Sequence, residues 1–150
     1  LTSLKKEKVI YMSENISEHS FLKYGDSNYL GYNEYDALKY FLDNINYVTN
    51  SEVSIIIRLH PSEKENKYKH FIDDYENIIG ISNESILAKD IANSSIILGC
   101  ESMAMAIGVM CNKKVVSCIP SFRYKCRLPM PEIIILKDLI HYEMRIRKNI

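Results

Sequence analysis

The sequence predicts an α/β protein: a Rossmann-like three-layer α/β/α sandwich with a mainly parallel sheet of five to six strands. Short β-branched runs, such as those at 55–57 and 96–98, alternate along the chain with segments of helical periodicity. This alternation is typical of a parallel sheet covered by helices. The runs are continuously apolar, as expected for strands that are buried on both faces. With 150 residues, 47% of them hydrophobic, the chain is long enough for one domain with its own core.

The first half of the chain predicts two strands, two helices and one long loop. The first strand is expected at 8–12, and the polar segment 13–32, which contains several tyrosines and glycines, is too long for a simple connector and is a candidate functional loop. Asn33 should cap the first helix, because its side chain can accept hydrogen bonds from the unpaired N–H groups there. The apolar stripe of that helix is Ala37, Leu38, Phe41, Leu42 and Ile45. A second strand at 53–59 and a second helix at 63–75 follow.

The second half predicts shorter elements in the same alternation. Strands are expected at 78–81, 95–98, 114–118 and, as a sixth, 132–136. Helices are expected from Asn83 or Ser85 to Ala92, at 103–110 and at 137–148. The helix at 103–110 is apolar nearly all round, so it should be buried. No repeat, low-complexity segment or linker interrupts the pattern, which indicates a single domain.

The second predicted strand ends in a group of polar residues, in the sequence Ile55-Ile-Ile-Arg-Leu-His-Pro-Ser-Glu63. Pro61 cannot continue a hydrogen-bonded ladder. His60 should therefore stand at the carboxyl edge of the sheet, where open α/β sheets bind their ligands. Arg58 lies two residues earlier on the same strand face. An arginine and a histidine at this edge predict a site for an anionic group such as a phosphate.

A similar group of residues ends the fourth predicted strand. The strand stops at Gly99, which permits a sharp turn or the close approach of a ligand. A helix begins near Ser102, whose hydroxyl lies beside unpaired N–H groups that favour an anion. Glu101 at the same edge could accept hydrogen bonds from ribose or sugar hydroxyls. If the second and fourth strands lie near each other, Arg58, His60 and Ser102 would converge on one pocket.

Each of these residues also has a purely structural explanation. Ser102 could be an ordinary helix cap worth about 1 kcal/mol, and Glu101 could only stabilise the first helical turn. A histidine before proline is often bonded to a neighbouring carbonyl. Arg58 could be an inward strand residue that pairs with Glu63. The residues alone therefore leave both the structural and the functional explanation open.

Composition excludes several classes of function. The formal net charge is zero, with 19 acidic and 19 basic residues, and no basic stripe is present, so we expect no nucleic-acid partner. The four cysteines lack the spacing of a zinc site, so no metal site is predicted. Cys100, Cys111 and Cys118 lie in apolar segments and are expected to be buried free thiols, which fits a reducing cytosol. The longest apolar stretch, at 103–111, is too short to span a bilayer.

The two strand-end motifs resemble those in the carboxy-terminal half of GT-B glycosyltransferases. The motifs are Arg-Leu-His-Pro-Ser-Glu at 58–63 and Gly-Cys-Glu-Ser at 99–102. The likeness is greatest to bacterial sialyltransferases and polysialyltransferases and to capsule-polysaccharide transferases, and it covers approximately residues 8–136. In the sialyltransferases, a His-Pro motif and a downstream serine motif hold the nucleotide phosphate of a CMP-sugar donor. Those enzymes often have two consecutive hydroxyl residues in the second motif, where Glu101 precedes Ser102 here.

The resemblance implies a role for each matching residue. His60 and Pro61 match the first motif and Ser102 the second. His60 would hydrogen-bond the donor phosphate and assist departure of the nucleotide as an acid, which suits the chemistry of histidine near neutral pH. Arg58, Gly99 and Glu101 would complete the donor-binding site, with Glu101 near the nucleoside or the sugar. The donor would be a CMP-activated acidic sugar such as sialic acid, with no further cofactor.

The resemblance also implies a larger protein. Residues 1–150 would be a single nucleotide-sugar-binding domain of a two-domain enzyme, and the start at Leu1 rather than Met agrees with this expectation. The catalytic base and the site for the saccharide acceptor would lie in an amino-terminal domain, so this chain should bind a donor without turnover. The enzyme would act in the cytoplasm, at the inner face of the cytoplasmic membrane. Exposed apolar surface at the ligand face would favour a homodimer of the isolated fragment.

Alternatives keep the fold and change the function. The donor could be a UDP-sugar, or a CDP-alcohol as in teichoic-acid polymerases. A non-catalytic α/β module is a third hypothesis, but a receiver domain needs an acidic cluster after the first strand, where Glu14 stands alone, and an Asp at the end of the third. A dinucleotide-binding domain needs a glycine-rich first turn, which is absent at 13–15.

Two further segments are weaker candidates for ligand contacts. His19, Tyr24, Tyr29 and Tyr32 could close over a nucleotide base by stacking, although an ordered surface loop is the favoured interpretation. Arg123, Lys125 and Arg127 could approach a phosphate or an acidic sugar, although such basic runs are more often solvated.

Overall fold

The computed structural model describes residues 6–149, and its centre is one six-stranded sheet. The strands are β1 (Glu7–Met12), β2 (Val53–Arg58), β3 (Ile78–Ile81), β4 (Ile96–Gly99), β5 (Lys114–Ser117) and β6 (Ile134–Ile135). They are ordered β3-β2-β1-β4-β5-β6, and every neighbouring pair is parallel. The predicted Rossmann-like α/β fold is confirmed, because this order is that of a doubly wound sheet.

Helices cover both faces of the sheet. They are α1 (Ile16–Tyr24), α2 (Glu34–Asp43), α3 (Lys69–Asp74), α4 (Leu87–Ala92), α5 (Met103–Met110) and α6 (Leu136–Lys148). On one face, Phe41 of α2, Phe71 of α3 and Leu136 of α6 share a buried cluster with Tyr11 and other residues of the central strands. On the other face, residues of α4 and α5 pack in a second cluster with β1, β4 and β5. The result is the predicted three-layer sandwich.

The chain reverses its direction of winding at β1. From β1 it proceeds through β2 to β3 at one edge, and the crossover through α4 then returns it to β4 on the other side of β1. Ligands of such sheets bind in the crevice at this switch point, outside the carboxyl ends of the strands. Because β1 lies between β2 and β4, the two strand ends that carry the sequence motifs are about 10 Å apart rather than adjacent.

Local sequence explains the best-defined helix start. The Asn33 side chain accepts hydrogen bonds from the N–H groups of Tyr35 and Asp36, both at 3.0 Å. The Asp36 carboxylate in turn accepts the Asn33 N–H at 2.9 Å. This reciprocal pair is a capping box, and it confirms the predicted cap.

None of the helices described within residues 6–149 has the length and hydropathy needed to cross a lipid bilayer.

Two predicted boundaries on the first half were wrong. The segment 13–32 contains α1, which was missed because its Phe21 and Leu22 are exposed and leave no continuous apolar stripe. The helix predicted at 63–75 begins only at Lys69, and turns occupy the residues before it. Glu63 and Lys67, which would lie in the first turns of that helix, instead bond to residues of other elements.

Two burial predictions in the second half were also wrong. Helix α5 buries Met105 but leaves Met103 and Met110 exposed, because one side of the helix faces outward from the sandwich. Cys100 and Cys118 are buried free thiols as predicted, whereas Cys111 is exposed. Cys111 caps the carboxyl end of α5 and lies beyond the part of the helix that the sheet covers.

Candidate functional site

A cleft of about 720 Å³ opens at the carboxyl edge of the sheet. Residues from three segments line it: the segment 14–32, which includes α1 and the loops on both sides of it, the loop after β4, and the loop after β5. We call it the edge cleft. Its lining residues include Glu14, His19, Lys23, Tyr24, Tyr29, Tyr32, Glu101, Arg123, Tyr124, Lys125 and Arg127. Because Glu14 follows β1 and Glu101 follows β4, the edge cleft lies at the switch point of the sheet, where ligands are expected.

The Glu14 carboxylate binds the turn between β4 and α5. The Glu101 N–H donates to Glu14 Oε1 at 2.9 Å, so the Glu14 carboxyl lies just before the cap residue Ser102. The sequence predicted an anion beside Ser102. Burial raises the pKa of Glu14 by more than hydrogen bonds from the backbone of Glu101, Cys100 and Ser102 lower it. The protein therefore places a carboxyl group of its own beside the turn that precedes α5.

Arg127 spans one side of the edge cleft. Its guanidinium holds Glu101, with Nη2 at 2.7 Å from Oε1 and Nε at 3.3 Å from Oε2. The Arg127 side chain is 85% exposed, and exposed ion pairs contribute about 0–1 kcal/mol. An incoming anion could therefore recruit Arg127 from Glu101 at small cost in stability.

Tyrosine rings also line the edge cleft. Tyr24, the last residue of α1, stacks on Tyr29 with ring centroids 3.7 Å apart and an interplanar angle of 13°. Both rings are partly exposed, and Lys23 Nζ lies 5.2 Å from the Tyr24 centroid. Tyr32 is buried beside them, and burial raises its pKa. The aromatic and basic residues that the sequence assigned to two weaker segments thus face one cleft.

His60 borders the edge cleft without lining it. The histidine is exposed in the turn after β2, together with Pro61. Its backbone N–H donates to Glu63 Oε1 at 2.8 Å, and its Nδ1 lies 2.8 Å from Ser62 Oγ. The His60 ring packs edge-to-face against His19, with centroids 5.9 Å apart, and His19 lines the cleft. The Nδ1 contact leaves Nε2 of the exposed ring as the atom that can reach a ligand.

Behind His60 lies a second group of polar residues, which we call the buried polar network. It consists of Ser13, Glu34, Glu63, Lys67 and Tyr68. Ser13 Oγ donates to Glu63 Oε2 at 2.9 Å and lies 2.5 Å from Tyr68 Oη. Lys67 Nζ pairs with Glu34 Oε1 at 3.0 Å and with Glu63 Oε2. The network joins the turn after β2 to the end of β1 and to α2.

The buried polar network holds two carboxylates and one ammonium group, which pairs with both of them. The side chains of Glu34 and Glu63 are fully buried, and that of Lys67 is 11% exposed. Burial alone would raise the pKa of Glu34, but hydrogen bonds from Ser17 and Lys67 hold it below its usual value. Burial likewise opposes the charge on Lys67, yet the two carboxylates raise its pKa. Glu63 in the His-Pro-Ser-Glu motif thus holds the turn in place.

Arg58 points away from the edge cleft. Its Nη1 lies 2.7 Å from Asp90 Oδ2 of α4 and donates to the Glu84 carbonyl at 2.6 Å. A more distant bond reaches the Ser85 carbonyl at 3.4 Å. The arginine is paired, as its structural explanation required, but with Asp90 rather than Glu63. Among the described residues, Arg58, His60 and Ser102 do not line one pocket.

Gly99 and Ser102 have visible structural roles. A Cβ on Gly99 would lie 2.9 Å from Met105 Sδ, so the glycine makes room for the packing of α5 against its own strand. Ser102 caps α5, since its Oγ accepts the Ala104 N–H at 3.2 Å. The Ser102 hydroxyl proton is free for a ligand at the same time.

The sequence did not predict Glu14 as a cleft residue. A carboxylate two residues after the first strand was a signal that could have indicated it.

Comparison with known proteins gives one structural likeness. No protein-family model matches the sequence, and no curated protein matches it. A solved structure of Thermosulfurimonas dismutans KpsC, a beta Kdo 2,4 transferase, is similar with a TM-score of 0.46 and 16% sequence identity. The match covers 77% of this chain and 35% of that chain, so this chain spans about a third of the length of that protein.

Proposed function

We propose that this chain is the donor-binding domain of a glycosyltransferase that builds cell-surface polysaccharide, and that the donor nucleotide occupies the edge cleft. The observation that carries the proposal is the position of a cleft with both aromatic and basic walls at the switch point of a doubly wound sheet. Sheets of this type bind their ligands there. The volume of about 720 Å³ lies within the range of small-molecule sites.

The walls of the edge cleft suit the two ends of a nucleotide. The stacked pair Tyr24 and Tyr29 presents a flat aromatic surface, and a base that stacks on such a ring gains about 1–3 kcal/mol. Arg127 and Lys125 supply positive charge for a phosphate on the opposite side. In this arrangement, Glu101 released from Arg127 would accept hydrogen bonds from the ribose.

The motif residues act at the rim of this cleft in the proposal. His60 reaches the donor phosphate from beside His19, and donates a proton as the nucleotide leaves. Pro61 fixes the turn that presents it, Ser102 donates its hydroxyl to the same phosphate, and Gly99 keeps the adjoining backbone accessible. Arg58 can contact the donor only if its guanidinium group breaks the ion pair with Asp90.

The proposal extends to the donor and to the partner. The favoured donor is a CMP-activated acidic sugar, because the rim offers lysine and arginine to both a phosphate and a sugar carboxylate. These cations also supply the charge that a metal ion would otherwise supply, so donor binding should persist in EDTA. The saccharide acceptor and the catalytic base are assigned to a separate amino-terminal domain, so this domain should bind nucleotide without turning it over.

Calorimetric titration with CMP, CDP, UMP and UDP in EDTA tests the proposal. We expect selective binding of CMP and a ten- to hundredfold loss of affinity in His60→Ala, as for the loss of one hydrogen bond to a charged group. His70→Ala is the matched control, because His70 is exposed on α3 and does not line the edge cleft; its affinity should stay that of the wild type.

The outcomes separate the hypotheses. Preference for UDP or CDP would keep the nucleotide site and change the donor to a UDP-sugar or a CDP-alcohol. Equal losses in the two histidine variants would remove His60 from the site. If none of the four nucleotides binds at millimolar concentration, the proposal is wrong for this domain.

A further inference from the structure

Lys137 is in an unusual state. The residue is 6% exposed, and among residues 6–149 its Nζ is the one buried side-chain nitrogen or oxygen without a hydrogen-bond partner. Burial lowers the pKa of this amine and the positive charge of Lys125 lowers it further, and together they outweigh the neighbouring Asp138 carboxylate, which raises it. Buried cations are ordinarily paired because an unpaired one is costly. The state of Lys137 therefore indicates that a counter-ion belongs beside it.

The position of Lys137 on its helix strengthens this argument. Lys137 is the second of the 13 residues of α6, and the preceding Ile135 provides no side-chain cap. The amino end of a helix carries partial positive charge and unpaired N–H groups, so it disfavours a lysine and favours an anion. Helical side chains lean toward the amino end, so Lys137 and the free N–H groups of the first turn lie at the same end of α6. Two independent sources of positive charge thus meet.

The surroundings of Lys137 leave access for a ligand. Its Nζ lies 5.0 Å from the ring centroid of Phe122, and Phe122 is 80% exposed. The ring lies beside the amine, and its edge-to-face contact with His141, at 5.8 Å between centroids, leaves most of its surface exposed and able to move. Lys125 lies nearby and pairs with Asp138 at 3.6 Å, with both side chains more than half exposed. This weak pair could yield Lys125 to an incoming anion.

We propose that Lys137, Lys125 and the amino end of α6 form an anion site for a phosphate or carboxylate group, adjoining the edge cleft. Lys125 connects the two, because it also lines the cleft. The anion is either a second acidic group of the molecule in the cleft or a free anion. The inference does not depend on a nucleotide in the cleft, since the counter-charge is missing from Lys137 itself.

Lysine-amine NMR of the wild-type domain, titrated with inorganic phosphate and separately with acetate, tests the site. We expect the Lys137 signal to shift saturably with at least one of the two anions, and its pKa to rise when the anion is bound, because a nearby negative charge favours the ammonium form. A Lys137 signal that neither anion moves at concentrations that already shift the exposed lysines through salt screening would overturn the proposal.

Two variants give the second measurement. Lys137→Met keeps the length of the side chain without its charge, and phosphate affinity should fall about tenfold, as for one charge-assisted contact. Lys148→Met, at the exposed far end of α6, should bind phosphate as the wild type does. Lys137→Met should also raise Tm by about 2–4 °C, because it removes an unpaired buried charge. Equal phosphate affinity in the two variants would contradict the site, and the wild-type titration decides alone if Lys137→Met does not fold.

A final arm identifies the source of the anion. If saturation with a CMP-activated acidic sugar, but not with CMP, shifts the Lys137 signal and blocks phosphate, the molecule in the edge cleft brings the second acidic group. If phosphate still shifts Lys137 in the presence of that sugar nucleotide, the site takes a free anion. Failure of CMP to bind would count against the nucleotide proposal alone, because the phosphate titration reports on Lys137 without it.

Discussion

The edge cleft and the buried polar network lie side by side at the same end of the sheet, yet their carboxylates are in opposite states. Glu34 in the network accepts bonds from Ser17 and Lys67, and its pKa is lowered. Glu14 in the cleft receives backbone N–H groups, and its pKa is raised because burial dominates. In the network, Lys67 pairs with both buried carboxylates, whereas the cleft holds a carboxyl that is costly to ionise.

This difference shows how to separate structural from functional polar residues. The motif around His60 contributes Glu63 to the network, where opposite charges satisfy it. The motif around Ser102 contributes Glu101 to the cleft, where its partner Arg127 is exposed and replaceable. Similar residues at two strand ends thus have different roles, and the completeness of their pairing distinguishes them.

Removing the central charge of the network should have the largest effect. Lys67→Met leaves the carboxylates of Glu34 and Glu63 buried without a cation, and loss of one partner of a buried pair costs about 3–5 kcal/mol. Urea unfolding measures the loss. Lys39→Met is the control, because Lys39 pairs with Asp43 at the exposed surface and its loss should cost about 0–1 kcal/mol. Similar losses in the two variants would mean that the network is not a stabilising unit.

Neutralising the two carboxyls should change stability in opposite directions. Glu34→Gln should lose about 1.5–3 kcal/mol at pH 7, the value of hydrogen bonds to a charged group. Glu14→Gln should gain stability at pH 7, because the folded protein no longer has to ionise a buried carboxyl. Unfolding of both variants and the wild type, followed from pH 7 to pH 3, measures the difference.

The pH dependence follows from the two pKa directions. The lowered pKa of Glu34 stabilises the fold above about pH 4.5, and this contribution is lost as the pH falls through the folded-state pKa. The raised pKa of Glu14 acts in reverse: its contribution is full below about pH 4.5 and is lost as the pH rises through the folded-state pKa. Both variants should therefore approach the wild type on acidification. A stability loss for Glu14→Gln at pH 7 would contradict the contrast.

The smallest effect is expected at the helix cap beside the cleft. Ser102→Ala should lose about 1 kcal/mol, whereas Ser102→Thr should retain most of the cap. Thermal unfolding measures the stability of both variants, and CMP titration measures their affinity. If the hydroxyl also binds the donor, the alanine variant should lose affinity and the threonine variant should keep it. Equal stability of all three proteins would contradict the capping role.

Much of the fold could be predicted from the sequence because its signals are local. The β-branched runs marked all six strands, and Asn33 marked the start of α2. Helix α1 could not be predicted, because only Ile16 and Ser20 of its residues are buried. Its sequence therefore lacks the apolar periodicity of a helix that packs on a core. The prediction for α3 began too early in the sequence. Glu63 and Lys67 bond to residues of the buried polar network, and such long-range contacts cannot be read from the local sequence.

The candidate site was harder to predict, because it depends on strand order. Sequence places His60 and Ser102 at strand ends but does not show that β1 lies between them. The sequence also does not show that Arg58 pairs with Asp90, which lies 32 residues later. Lys137 looks like an ordinary residue of a polar helix in the sequence, although it is buried and its Nζ lies 5.0 Å from the ring centroid of Phe122 in another loop. Pairings over such distances leave no local pattern.

The central place of β1 has a consequence for biosynthesis. The backbone of Lys8 in β1 bonds to Ser95, which lies 87 residues later, so one side of β1 stays unpaired until β4 has been made. At the usual rates of translation this takes roughly 4–17 s. During that interval the nascent chain exposes an apolar strand edge that can pair with another chain. The yield of folded protein should therefore depend on chaperones that cover the first strand during synthesis.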